Sequence, residues 1–129
     1  MPTVRTILVV DDEEIVRDVA RAILRSSGYR VLLAESGEAA MALMREHAHK
    51  ICLMLLDASM TGWSARSTVA SLRSLSPDLA IVVSSGFSSE EALRHFDPDR
   101  VSGFVQKPYT ASRLRDAVSL VLQTRRMAA

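Results

Sequence analysis

Short apolar runs in this chain end, one after another, on residues able to do chemistry. Asp11 and Asp12 follow "TILVV", and Asp57 follows "ICLMLL". Ser84 and Ser85 follow "AIVV", and Lys107, itself followed by Pro108, comes after "GFVQ". Burying a carboxylate is unfavourable unless something compensates its charge, so an aspartate at the end of an apolar run asks for a partner. Three carboxylates brought close together cannot all stay ionised comfortably without a cation. Oxygen ligands of this kind suit Mg²⁺, which keeps part of its water shell. A lysine opposite them would offset charge and bind phosphoryl oxygens as a point cation. A serine hydroxyl would hydrogen-bond one of those oxygens, and aspartate is a nucleophile for phosphoryl transfer through an aspartyl phosphate. Such transfer needs mainly positioning and charge neutralisation.

These residues act together only if the fold converges them. The apolar runs at 6–10, 31–34, 51–56, 80–84 and 103–106 read as strands. The first, third and fourth are apolar almost throughout, which suits parallel strands covered on both faces. Helical patterns lie between them. Ile15, Val16, Val19, Ala20 and Ile23 mark the inner face of a first helix, closed at Gly28. Ser36 caps a second, with Ala40, Leu43 and Met44 inward. A third runs over 64–75, with Val69 and Leu72 inward, and Pro77 stops it. Ser88 and Glu91 have capping-box spacing for a short fourth. Thr110 caps a fifth, with Leu114, Ala117, Val118 and Val121 inward, and the final "TRRMAA" is expected to fray.

A βα unit repeated five times, with right-handed crossovers, gives an α/β doubly wound parallel sheet. The expected form is the flavodoxin-like strand order 2-1-3-4-5 with five helices, one of the common orders for such a sheet. In such a sheet all the strand C-termini share one edge, where ligands bind at the switch point. That edge would collect Asp11, Asp12, Asp57, Ser85 and Lys107.

Composition bounds the rest. The 129 residues suit a single domain with a core over about 6–122, and 48% apolar and 24% charged residues are ordinary for a globular chain. A net charge of +1 gives no electrostatic case for direct contact with nucleic acid or with a membrane. A single cysteine, Cys52, forms no internal disulfide and suits a reduced, cytoplasmic setting. The "HAH" around His47 and His49 lacks further ligands at metal-binding spacing, and His95 reads as a surface residue. Neither a P-loop nor a dinucleotide-binding glycine motif occurs.

Taken in order and spacing, "ILVVDDEEIVR", "LMLLDASM", "VVSSGFS" and "FVQKPY" resemble the response-regulator receiver domain of two-component signalling, with "SSGFSSEEALRHF" closer to receivers attached to hybrid histidine kinases. Each motif alone is weak, and the four together are specific over about 6–122. The resemblance implies that Asp57 is the phosphoacceptor. It implies that Asp12 binds Mg²⁺ directly and Asp11 mainly through water, with Asp57 and the backbone carbonyl of Ser59 completing the protein ligands. Ser85 matches the hydroxyl residue that moves toward the phosphoryl group. Lys107 matches the lysine that pairs with it, before a cis proline bond, and Phe104 falls at the aromatic switch position. The phosphoryl donor would be a histidine kinase or a histidine phosphotransfer protein. The downstream protein would read the face made by helix 4, strand 5 and helix 5, roughly 88–122. Such a domain is no ordinary enzyme, catalysing only its own phosphorylation and dephosphorylation.

The chain also departs from the family. Thr61 follows Met60 where proline is usual, and Ala65 stands where a second glycine is often found, while Gly62 is kept. Losing the proline frees φ and adds an N–H to the loop. Trp63 in that loop has no assigned role. Two other functions compete: a degenerate receiver acting only as a protein-binding module, and a haloacid-dehalogenase-like phosphatase, whose D-x-D-x-T motif is partly matched by "DASMT". Ser59 stands where that motif needs its second aspartate.

Overall fold

A computed structural model describes residues 4–59, 65–86 and 101–128. Five strands alternate with helices: β1 (Thr6–Val10), α1 (Glu14–Ser26), β2 (Arg30–Ala34), α2 (Gly37–His47), β3 (Ile51–Asp57), α3 (Ala65–Leu75), β4 (Ala80–Ser85), β5 (Gly103–Gln106) and α4 (Ala111–Ala128). The strands form one parallel sheet in the expected order, β2-β1-β3-β4-β5. The short helix expected from Ser88 and Glu91 lies outside the described residues. The helix expected fifth is therefore α4.

Side chains alternate across a strand, and the core divides accordingly. Leu8, Val10, Met54, Leu56, Ile81 and Val83 pack on one face against Ala40 and Met44 of α2 and Val69 and Leu72 of α3. Ile7, Val9, Leu53, Leu55, Val82 and Val105 pack on the other against Ala20 and Leu24 of α1 and Leu114 and Val118 of α4. With both faces covered, β1, β3 and β4 are buried nearly throughout, whereas the edge strand β2 is only half-buried.

Local signals set most boundaries. The Ser36 hydroxyl accepts from the Ala39 N–H at 3.0 Å, and Thr110 Oγ1 accepts from the Arg113 N–H at 3.1 Å; both cap helices as expected. Gly28, at φ 96°, ends α1 in the left-handed region, with the Gly28 and Tyr29 amides donating to the carbonyls of Arg25 and Leu24.

One expectation is corrected. Ile15 and Val19 were assigned to the inner face of α1, yet they are 78% and 46% exposed. The buried stripe is Ala20 and Leu24, with Ile23 packed beside them. A 100° step per residue puts Val19 about 120° and Ile15 about 160° from the middle of that stripe, turned away from it, where they line a groove with Pro108 and Tyr109. The helix α4 extends to Ala128, and the Thr124 hydroxyl donates to the Leu120 carbonyl at 2.8 Å.

Candidate functional site

Strand register creates the site. Val10 pairs with Leu56, so Asp11 and Asp57, one residue on, stand level at the C-terminal ends of β1 and β3. Asp57 pairs with Ser84, and Ser85 pairs with Gln106, which puts Lys107 one step beyond. Backbone bonds carry the alignment past the strands. The Asp11 N–H donates to Ala34 O at 3.1 Å, Ala58 N–H to Ser84 O at 2.8 Å, and Lys107 N–H to Ser85 O at 2.7 Å. The Lys107–Pro108 bond is cis. Four distant segments thus meet at one rim, as the sequence predicts.

Lys107 bridges the two buried aspartates. Its Nζ donates to Asp11 Oδ2 at 2.7 Å and lies 3.3 Å from Asp57 Oδ2. The second contact has ion-pair distance without hydrogen-bond alignment, so Asp57 Oδ2 is a buried acceptor with no hydrogen-bond donor among the described residues. Asp57 Oδ1 is held by Ser59, from the N–H at 3.0 Å and from Oγ at 2.8 Å. Asp11 Oδ1 accepts from the Glu13 N–H at 2.9 Å, and Arg17 donates to the Asp11 carbonyl at 2.7 Å. Ser85 is buried at the end of β4. Phe104 is half-buried on β5, lining with Ala117, Leu120 and Val121 a groove of about 440 Å³ on the β5/α4 side.

Charge balance follows from burial. Desolvation raises the Asp11 pKa, and the Asp57 charge raises it further; the Lys107 and Glu13 hydrogen bonds oppose this without cancelling it. Burial alone would lower the Lys107 pKa, but the Asp11 hydrogen bond and the two carboxylate charges outweigh it, and the pKa is raised. Both partners of the ion pair shift upward because burial outweighs the hydrogen bonds to Asp11, while Lys107 faces two carboxylates. Tyr109, half-buried near the same acids, is pushed up to about 12, by desolvation first and then by Asp11 and Asp57.

The donor set fits a hard cation. One carboxylate oxygen from each of Asp11, Asp12 and Asp57 lies within 4.8 Å of the others. Asp12 is exposed while Asp11 and Asp57 are buried, so the cluster opens to solvent on one side. The carboxylate oxygens and the excess of negative charge over the single lysine suit a small divalent ion that keeps some water. Cys52, by contrast, packs against the α1/α4 side of the sheet, where burial raises its thiol pKa.

Comparison with known proteins agrees with this geometry. The chain matches the Response regulator receiver domain family over residues 7–119. It is 30% identical over 118 residues to the sensor kinase CckA of Brucella abortus, covering 92% of this chain and 12% of that protein. It is 32% identical over 116 residues to the transcriptional regulatory protein ZraR of Salmonella typhimurium, covering 90% of this chain and 26% of that one. It therefore spans well under a third of either relative. A response regulator receiver domain structure from Clostridium thermocellum superposes with a TM-score of 0.88 at 21% identity, covering 98% of this chain and all of that one, which is a likeness of fold. The chain belongs to the response-regulator receiver family and is a receiver domain of two-component phosphorelay signalling.

The structure adds residues that sequence reasoning did not single out. Arg17, six positions after Asp11, props the β1–α1 turn through the Asp11 carbonyl. Ile15, Val16 and Val19 line an open groove of about 450 Å³ with Pro108 and Tyr109, reaching Lys107. Only the mismatch of Ile15 and Val19 with the core stripe would have signalled it. The Ser59 N–H bond to Asp57 is an aspartate turn, and the Ser59 hydroxyl adds a second bond to the same oxygen. Met60, Thr61, Gly62 and Trp63 lie outside the described residues, as does His95.

Proposed function

We propose that this domain accepts a phosphoryl group onto Asp57 from a phosphohistidine of a histidine kinase or histidine phosphotransfer protein. The observation that supports it most strongly is the Lys107 ammonium, 2.7 Å from Asp11 and 3.3 Å from a buried Asp57 oxygen that has no hydrogen-bond donor among the described residues. Such an oxygen keeps a lone pair for attack, and the ammonium beside it would stabilise charge on the incoming group.

Asp11, Asp12, Asp57 and the Ser59 backbone carbonyl would hold Mg²⁺. Bound there, the ion supplies charge neutralisation for the phosphoryl oxygens. Lys107 keeps its proton across the physiological range, since its pKa is raised, and so stays cationic throughout. Ser85, at the end of β4, offers a hydroxyl to the phosphoryl group. New contacts there would bias a two-state equilibrium that Phe104 transmits to the β5/α4 face, read by a downstream protein together with the segment after Ser88. Residues 6–122 form the functional domain, and its chemistry is confined to its own phosphorylation and dephosphorylation. The phosphatase alternative gains nothing, because Ser59 donates to Asp57 where that chemistry needs a second carboxylate.

Incubation with acetyl phosphate and Mg²⁺ tests the reading. An alkali-labile phosphoryl adduct is expected on the wild type and not in EDTA or in Asp57→Asn. A wild type that remains unmodified, or an equal adduct on Asp57→Asn, contradicts it.

A further inference from the structure

The peptide that joins Asp11 to Asp12 is held by an arginine from the next helix. Arg17 Nη1 donates to the Asp11 carbonyl at 2.7 Å, six residues back along the chain. Arg17 is itself anchored in the opening turn of α1, its N–H donating to the Glu13 carbonyl at 3.0 Å. Glu13, the N-cap of that helix, makes no side-chain capping bond, so Arg17 is what ties the helix start back to the end of β1. Asp11 is fixed at three other points: its N–H donates to Ala34, Oδ1 accepts from Glu13 and Oδ2 from Lys107. Asp12 has no such hold. It is exposed, and its carboxylate accepts no hydrogen bond among the described residues. The peptide unit is planar, so a change in ψ at Asp11 turns the carbonyl and re-aims Asp12 while leaving the Asp11 side chain in place. The carbonyl that Arg17 holds fixes that torsion.

We propose that Arg17 is a positioning residue for the divalent cation: through the Asp11 carbonyl it keeps the backbone in the orientation that presents the Asp12 carboxylate to the ion. The inference rests on Asp11, Asp12 and Asp57 holding Mg²⁺. A hydrogen bond from a guanidinium is charge-assisted and strong, and a ligand already in place binds more tightly than one that must be ordered on binding. The sign of the effect is diagnostic. By Coulomb repulsion alone, a guanidinium near the cluster disfavours a second cation, so deleting it would tighten Mg²⁺ binding. Positioning requires the opposite.

The test is the Mg²⁺ affinity of the domain without phosphoryl donor, read from amide chemical shifts in an NMR titration at fixed ionic strength. Arg17→Ala should bind about tenfold more weakly than wild type. Arg17→Lys, which keeps the charge and a donor on a slightly shorter stem, should fall between the two. Arg21→Ala, one turn further along α1, removes an equal charge that pairs with Asp18 instead, and should not weaken binding. In an Asp12→Asn background, Arg17→Ala should add little further loss, because the carboxylate it positions is gone. Binding by Arg17→Ala as tight as wild type or tighter, a lysine variant as weak as the alanine one, equal weakening in Arg21→Ala, or a full further loss in the Asp12→Asn background overturns the role of Arg17. Loss of native amide dispersion in Arg17→Ala also overturns it, since the arginine would then be a prop for the fold. A wild type that binds no Mg²⁺ overturns the reading of the metal site instead, so the two failures are distinct.

Discussion

Replacing Lys107 by methionine isolates the charge that holds the rim together. Methionine keeps most of the length and volume of the lysine stem, so the change is mainly the loss of an ammonium 2.7 Å from Asp11 and 3.3 Å from Asp57. At an effective dielectric of about 20 those separations correspond to gross attractions of roughly 6 and 5 kcal/mol. The lysine also loses hydration on folding, so the net effect is smaller. Removing one partner of a buried pair costs about 3–5 kcal/mol. The Lys107 side chain retains 16% exposure, which places the expectation at the lower end, about 3 kcal/mol. Urea unfolding at neutral pH in EDTA should show it as a midpoint lower by about 1–3 M.

The pH dependence has a definite sign. Burial already raises the Asp11 pKa above the ordinary aspartate value of 3.8, and losing the lysine raises it further. Above 3.8 the folded variant then binds more protons than its unfolded chain, so its stability rises as pH falls toward that value. The deficit against wild type should shrink in mild acid, and also on adding Mg²⁺, which supplies the missing positive charge. Equal midpoints in EDTA, or a deficit indifferent to both acid and Mg²⁺, would refute the electrostatic account of the rim.

Other outcomes follow from single contacts. The Tyr109 phenol, pushed up to about 12, keeps its proton in the folded state where an unfolded chain would lose it, so its contribution is present below pH 10 and is lost as pH rises through about 12. A tyrosinate absorbance titration should therefore show a late component that Tyr109→Phe removes, and an unchanged high-pH limb contradicts this. A Cβ added at Gly103 would stand 2.8 Å from Val121 Cγ2, so Gly103→Ala should destabilise by about 1–3 kcal/mol through overpacking, with part of the loss recovered by adding Val121→Ala. Ser36→Ala removes the cap of α2 and should lower stability by about 1 kcal/mol in denaturant titration, with no effect on phosphorylation rate.

The residues that do the chemistry were easier to read from the sequence than the surfaces around them. Runs such as "ICLMLL" are apolar on both faces because β3 sits in mid-sheet, and a parallel sheet must gather whatever follows such runs on one edge. That is why Asp11, Asp57, Ser85 and Lys107 could be grouped from positions far apart in the chain. The half-buried β2 was legible only through its place in the alternation of elements. Ile15 and Val19 were misread because apolar residues at helical spacing look alike whether they face the core or an open groove. The inequality of the two Asp57 oxygens depends on the side-chain torsion and on the Ser59 turn, which residue types leave open.

The most direct test of the central claim is to trap the acyl phosphate chemically and locate it. The domain is phosphorylated with phosphoramidate and Mg²⁺, then reduced with borohydride, which converts an aspartyl phosphate to homoserine, and fragmented by tandem mass spectrometry. The account predicts homoserine at position 57 and at no other aspartate. Homoserine at position 11 or 12, or a phosphoryl group retained on serine or histidine with Asp57 intact, would contradict it.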